Sequence, residues 1–239
     1  MMRETLRRLA AEDNLRTLPE IGIDGKYVVY EGRKYLNLSS NDYLGLSCSG
    51  LHREFMRRMT DGGDFLLSNP SSRLITGNSP DYGRLEMALS ELFGGRAVLV
   101  VGCGYMVNSG VLPAVTGKGD LVLADKLVHA SIIDGIRLST ARCIRFRHND
   151  LVQLERLLEQ HHATFRQLII VTESIFSMDG DQADLPALTE LKRRYGNVLL
   201  YVDEAHAFGV RGRQGLGCAE ESGCTGDIDF LVGTFGKAA

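Results

Sequence analysis

The chain has 239 residues, of which 44% are hydrophobic and 24% charged, with a formal net charge of −3. That is enough apolar material for one large buried core or two small ones. The near-neutral balance, with no basic stripe interleaved with aromatics, argues against nucleic acid as a partner.

The N-terminal "MMRETLRRLAAEDNL" carries charges throughout and has no apolar h-region, and Glu4, Glu12 and Asp13 speak against a transit peptide. It reads as an amphipathic helix. The longest apolar runs, such as 98–101 and 168–171, are far too short to cross a bilayer, so no membrane partner is expected. Cys48, Cys103, Cys143, Cys218 and Cys224 are odd in number, scattered and without a C-x-x-C pair. This usage suits reduced thiols and a cytoplasmic location. No histidine pair has zinc spacing. Asp179-Gly180-Asp181 with Asp184 fails the EF-hand pattern and reads as a turn, so no metal is expected.

From residue 97 onward, short apolar runs alternate with amphipathic segments. "AVLVV" (97–101) predicts a strand, and 105–115 a helix. Residues 121–124 predict a strand, 130–139 a helix, and 143–146 a strand. Asp150 can cap the next helix, whose stripe is Leu151, Leu154, Leu157 and Leu158. A strand at 167–172, a helix at 185–195 with Gly196 as its stop, and strands at 198–203 and 230–233 complete the series. Strands apolar throughout and separated by helices imply a doubly wound α/β fold, a mostly parallel sheet with helices on both faces. Ligands in such folds lie beyond the carboxyl ends of the strands.

Every predicted strand except 143–146 runs into a polar cluster at that end. The clusters are Gly102-Cys103-Gly104-Tyr105 with Asn108; Asp125 and His129; Glu173, Ser177 and Asp179; Asp203, Glu204 and His206; and Thr234 with Lys237. A glycine turn opening a helix offers free N–H groups and a positive dipole end to a phosphate, and Thr234 could add a hydroxyl. Val107 breaks the dinucleotide G-x-G-x-x-G pattern. A lysine behind a strand, near a carboxylate and a histidine, suits a Schiff base. Pyridoxal 5'-phosphate needs that lysine, an acid for its ring nitrogen and a phosphate cup; Asp203 fits the acid. Singly, each residue has a plainer reading: a surface lysine, a helix-start histidine, or turn and cap hydroxyls.

"SSNDYLGLS" (39–47), "HASIIDG" (129–135), "TESIFSMDGD" (172–181), "VDEAHAFGVRGRQGLG" (202–217) and "TFGKA" (234–238) together resemble the α-oxoamine synthases. These are fold-type I pyridoxal-phosphate acyltransferases that join an amino acid to an acyl thioester with loss of carbon dioxide. The resemblance implies the large domain of that fold over 41–239, preceded by an arm at 1–40 made of a helix and short strands. It implies Lys237 as the Schiff-base lysine that also moves the α-proton, and Asp203 as partner of the ring nitrogen. His206 would bond the ring oxygen and His129 would stack on the ring. Ser177 and Thr234 would contact the cofactor, the backbone of Gly104 and Tyr105 would hold the phosphate, and Arg16 and Asn41 would meet the substrate.

Two positions depart from the family pattern: Tyr82 stands where a histidine is usual, and Tyr105 where phenylalanine is. The implied substrates are L-alanine with a pimeloyl thioester of CoA or acyl carrier protein. Glycine with acetyl-CoA is the alternative within the class, and a non-catalytic partner subunit the alternative outside it. Family chains continue past the lysine by roughly 150 residues, about one small domain. The expectation is therefore a large domain incomplete at its C-terminal end, without the small domain, folding poorly and turning over little by itself. A homodimer is expected of the full-length protein.

Overall fold

The computed structural model describes residues 2–63 and 68–238. Two units follow one another, Met1–Ser40 and Asn41–Ala239. In the first, helix α1 (Met2–Ala11) precedes a three-stranded antiparallel meander, β1 (Gly22–Asp24), β2 (Tyr27–Tyr30) and β3 (Arg33–Leu36). Tyr30 pairs with Arg33, leaving Glu31 (φ 48°) and Gly32 (φ 73°) as a two-residue hairpin turn. Two left-handed residues match the twist of the flanking strands.

The second unit opens with α2 (Leu51–Asp61), α3 (Pro80–Leu92) and α4 (Gly104–Val115). An alternating series follows: β4 (Asp120–Asp125), α5 (Ala130–Leu138), β5 (Arg142–Phe146), α6 (Leu151–His161), β6 (Gln167–Glu173), α7 (Leu185–Arg193) and β7 (Val198–Asp203). The short helix α8 (Cys218–Glu221) and β8 (Phe230–Val232) close it. The five strands are parallel, in the order β5-β4-β6-β7-β8.

Period-two alternation splits the apolar strand residues between two cores. Leu121, Leu123, Leu168, Ile170, Leu200 and Val202 pack with Leu154, Leu158 and Leu188 of α6 and α7. Val122, Ala124, Ile169, Val171 and Tyr201 pack on the other face with Leu112 of α4 and Ile132 and Ile136 of α5. Helices on both faces make the doubly wound α/β arrangement expected from the sequence. β5 and β6 flank β4 on opposite sides, so the chain changes direction across the sheet there and opens a crevice at the carboxyl ends.

The sequence misjudges two elements. Residues 97–101 join no ladder among the described residues. The Val100 N–H donates to Glu86 Oε1 at 2.8 Å, and its carbonyl accepts from Arg73 Nη1 at 2.6 Å, so side chains take the bonds a strand partner would take. A groove of about 520 Å³ lies between this segment and β8, and no neighbour fills it. Helix α7 stops at Arg193 rather than at 195, with Arg194 as its C-cap. The expected cap at Asp150 forms, accepting from the Gln153 N–H, and Asp184 caps α7 by accepting from the Ala187 N–H.

Helices α4 and α5 approach so closely at Gly135 that a Cβ there would lie 2.2 Å from the Asn108 carbonyl oxygen. Gly135→Ala should therefore cost about 1–3 kcal/mol of unfolding free energy in a urea titration.

Candidate active site

The carboxyl ends of β6 and β7 set two acids side by side. Glu173 and Asp203 are register partners, and each is at most 6% exposed. They continue the face that carries Val171 and Tyr201, toward α4 and α5. Burial pushes the Glu173 carboxyl up to about 7, and the neighbouring Asp203 carboxylate adds to the shift. Glu173 Oε1 accepts from the His129 N–H at the start of α5. Glu204, next in sequence to Asp203, turns the other way. It accepts from Ser174 Oγ (2.7 Å) and from the Cys218 and Ala219 N–H groups (3.0 and 2.7 Å), which makes it an anchor for the glycine-rich loop.

A buried polar chain surrounds Asp203. Asn108 Nδ2 donates to Asp203 Oδ2 at 2.8 Å and to Ser131 Oγ at 2.9 Å. Tyr201 Oη donates to Asn108 Oδ1 at 2.6 Å, and burial pushes this phenol upward, so it stays a donor. Ser131 Oγ lies 2.7 Å from His129 Nδ1. Asp203 Oδ1 accepts from the Ala205 N–H at 2.9 Å.

Lys237 Nζ sits 2.8 Å from His206 Nε2, and His206 Nδ1 lies 2.6 Å from Tyr43 Oη. Tyr43 in turn donates to Asn41 Oδ1 at 3.1 Å. An ammonium can only donate, so Nε2 accepts and Nδ1 carries the imidazole proton toward Tyr43. Burial lowers the Lys237 pKa, opposed by the Asp203 and Glu173 carboxylates. Burial, and next the Lys237 charge, lowers that of His206.

At the other end, Gly104 packs against Thr234: a Cβ on Gly104 would lie 3.6 Å from Thr234 Cβ and 3.7 Å from Oγ1. No side chain caps the N-terminus of α4, so its first N–H groups remain available for an anion. Tyr105 directs its hydroxyl to Asp134 at 2.6 Å.

Of the residues singled out from the sequence, the structure links Lys237, His206 and Asn41 in one hydrogen-bonded chain and His129 with Asp203 in another. Ser177 lies exposed in the turn after β6, and no described hydrogen bond ties it to either chain. Arg16 is exposed in the first unit. Asp125 is spent on structure, accepting from the Leu127 and Asn149 N–H groups and facing His148 Nδ1 at 2.9 Å. The sequence reading noted Glu173 and Asn108 at strand ends without giving either a role, and it passed over Tyr43, Ser131 and Tyr201. The signal for Glu173 was its position directly before Ser174 at the end of an apolar strand.

A half-buried amine, a buried carboxylate, and an uncapped helix start closed by a threonine form a donor set that fits pyridoxal phosphate. Comparison with known proteins agrees. The aminotransferase class I and II family model matches residues 33–239, and the chain belongs to that family. It has the pyridoxal-phosphate-dependent fold type I, in its α-oxoamine synthase branch, and its cofactor is pyridoxal phosphate.

Two relatives carry the name 8-amino-7-oxononanoate synthase, given provisionally. One, from Glaesserella parasuis serovar 5, is 54% identical over 98% of this chain; the other, from Pasteurella multocida, is 50% identical over 98%. The chain spans 61% of the length of each. Among solved structures, a serine palmitoyltransferase from S. paucimobilis with a bound pyridoxal phosphate–myriocin aldimine superposes with TM-score 0.85. It is 28% identical over 99% of this chain and 59% of its own. The 8-amino-7-oxononanoate synthase of Francisella tularensis gives TM-score 0.64 at 27% identity, over 84% of this chain and 54% of its own.

The Glu173 shift predicts a pH signature. Below about pH 4.5 the group is protonated whether folded or unfolded and contributes nothing. Between pH 4.5 and 7 the unfolded chain releases the proton and the folded one keeps it, so stability falls by about 3 kcal/mol in total. Glu173→Gln keeps the acceptor for the His129 N–H and should flatten this part of the pH–stability curve. Denaturant titrations at pH 5 and 8 check it.

Proposed function

We propose that this chain forms the cofactor-holding part of an α-oxoamine synthase that condenses L-alanine with pimeloyl-CoA or pimeloyl-acyl carrier protein. The reaction releases carbon dioxide and yields 8-amino-7-oxononanoate, a step in making biotin. The observation that carries this is the pairing of Lys237 with His206 in the field of Asp203 and Glu173, beside the Gly104–Thr234 cup. The names of the relatives at 50 and 54% identity support the choice of substrates. Pyridoxal phosphate, when bound, supplies an aldehyde that condenses with an amine and a ring that accepts electrons from the adjacent carbon.

The chain's own residues then divide the work. Lys237 is the amine that holds the cofactor and moves the proton at the amino acid's α-carbon. Its lowered pKa raises the fraction of free amine. His206, kept neutral by burial, orients Lys237 and would bond the ring oxygen. Asp203 would pair with the ring nitrogen and keep it protonated, and His129 would cover the ring face. The N–H groups of Gly104 and Tyr105, with Thr234 and Ser177, take the phosphate. Asn41 and Arg16 serve the substrate, and two copies of the full-length protein pair.

The serine palmitoyltransferase neighbours keep a different amino acid and acyl chain in view within the same chemistry, glycine with acetyl-CoA included. Because the chain spans 61% of its relatives' length, cofactor capture is a sharper test than turnover. Adding pyridoxal phosphate should produce a visible absorption band. Borohydride reduction and peptide mass spectrometry should then place the pyridoxyl group on Lys237. Lys237→Ala should abolish both. Absence of the band in the wild-type chain, with tight pairing to a longer homologue, would favour the non-catalytic subunit instead.

A further inference from the structure

Asn108 touches more of the site's support than any residue singled out from the sequence. It is 2% exposed on α4, one turn beyond Gly104. Its amide orientation follows from its neighbours' chemistry. The Asp203 carboxylate can only accept, so Nδ2 must face it, and Oδ1 is then left to accept from Tyr201 Oη. The second Nδ2 hydrogen goes to Ser131 Oγ at 2.9 Å. The Ser131 N–H donates to His129 Nδ1 at 3.2 Å, which makes that nitrogen an acceptor, so the Ser131 hydroxyl, 2.7 Å away, points its hydrogen at it while accepting from Asn108. Every side-chain donor of Tyr201, Asn108 and Ser131 meets an acceptor, and one branch ends on Asp203.

We infer that Asn108 is the positioning residue of this site. It holds Asp203 in the rotamer that faces the cofactor ring and, through Ser131, fixes His129 with Nδ1 as acceptor and the proton on Nε2. The inference rests on reading the cluster as the pyridoxal phosphate site. No other side chain of similar size does the same: leucine fills the space without donors, and aspartate would bring a second carboxylate against the first. The backbone fixes the hub as well, since the Asn108 carbonyl sits where a Cβ on Gly135 would fall. A neutral amide leaves Asp203 its negative charge for the ring nitrogen, where a cation in its place would compete with the ring.

Two readouts test this, one without cofactor. Imidazole 15N spectra of the cofactor-free chain should show His129 Nδ1 as an unprotonated acceptor in the wild type. Ser131→Ala and Asn108→Leu should shift the His129 signals toward mixed tautomers, and Tyr201→Phe should do so less, because it only loosens the amide. Titration with pyridoxal phosphate should show affinity lowered about 10- to 100-fold in Asn108→Leu, the loss of a hydrogen bond to a charged group. Ser131→Ala should lower it less. His129 signals in Ser131→Ala and Tyr201→Phe identical to wild type, or Nδ1 protonated in the wild type, would overturn the inference. So would an Asn108→Leu chain that binds cofactor within twofold of wild type. A wild-type chain that takes up no cofactor sinks the proposed function instead, and the 15N readout still judges Asn108.

Discussion

The β6–β7 ladder imposes the constraint to which the rest of the site answers. Parallel pairing in register puts Glu173 beside Asp203 at the covered end of the sheet, and two buried carboxylates cannot both ionise there without compensation. The surrounding residues resolve the conflict unequally. Asp203 receives N–H donors from Asn108 and Ala205. Among the described residues Glu173 receives one, from the His129 backbone, and its pKa climbs to about 7. Lys237 lies in the field of both, and their attraction partly offsets the burial that would discharge it. An acid poised near neutrality thus follows from a single strand pairing, and the same two acids temper the lowering of Lys237 by burial.

Much of this was legible in the sequence, because the physics involved is local. Strands apolar throughout, with a polar cluster behind all of them except 143–146, pointed to the sheet, its covered faces and the end that carries the chemistry. Asp203, His206 and Lys237 stood out as polar residues directly behind buried strands. The segment 97–101 shows the limit. "AVLVV" has every propensity for a strand, but a strand needs a partner, and composition says nothing about one. In the structure Arg73 and Glu86 hold its Val100 backbone groups, and a groove separates the segment from β8.

The polar helix residues were hidden for a different reason. Asn108 sits inside a helix, where asparagine carries no propensity signal beyond being mildly unfavourable. Its meaning comes from Tyr201 and Asp203, 93 and 95 residues further along the chain. Tyr43 lies within "SSNDYLGLS" with nothing nearby in the sequence to mark a role, since only the fold brings it to His206, 163 residues away. Long-range side-chain pairing leaves no periodicity to read.

The buried acids themselves show how structural groups separate from chemical ones. Asp125, Glu204 and Asp203 all lie at or just past strand ends and are nearly inaccessible. Asp125 and Glu204 give their oxygens to backbone N–H groups of nearby loops, at 127 and 149 for one and at 218 and 219 for the other. Such bonds are satisfied by folding alone and hold the loops in place. Asp203 instead spends one oxygen on a side-chain amide that is itself held on three sides. Its charge also raises the Lys237 pKa against the lowering by burial. A buried acid whose partners are side chains that titrate, or that touch groups that titrate, does more than the fold requires of it. By that criterion Asp203 differs from Glu204, whose oxygens go to Ser174 and two loop N–H groups; Asp125, which also faces His148 Nδ1, stands between them, and Glu173 enters through its charge on Lys237.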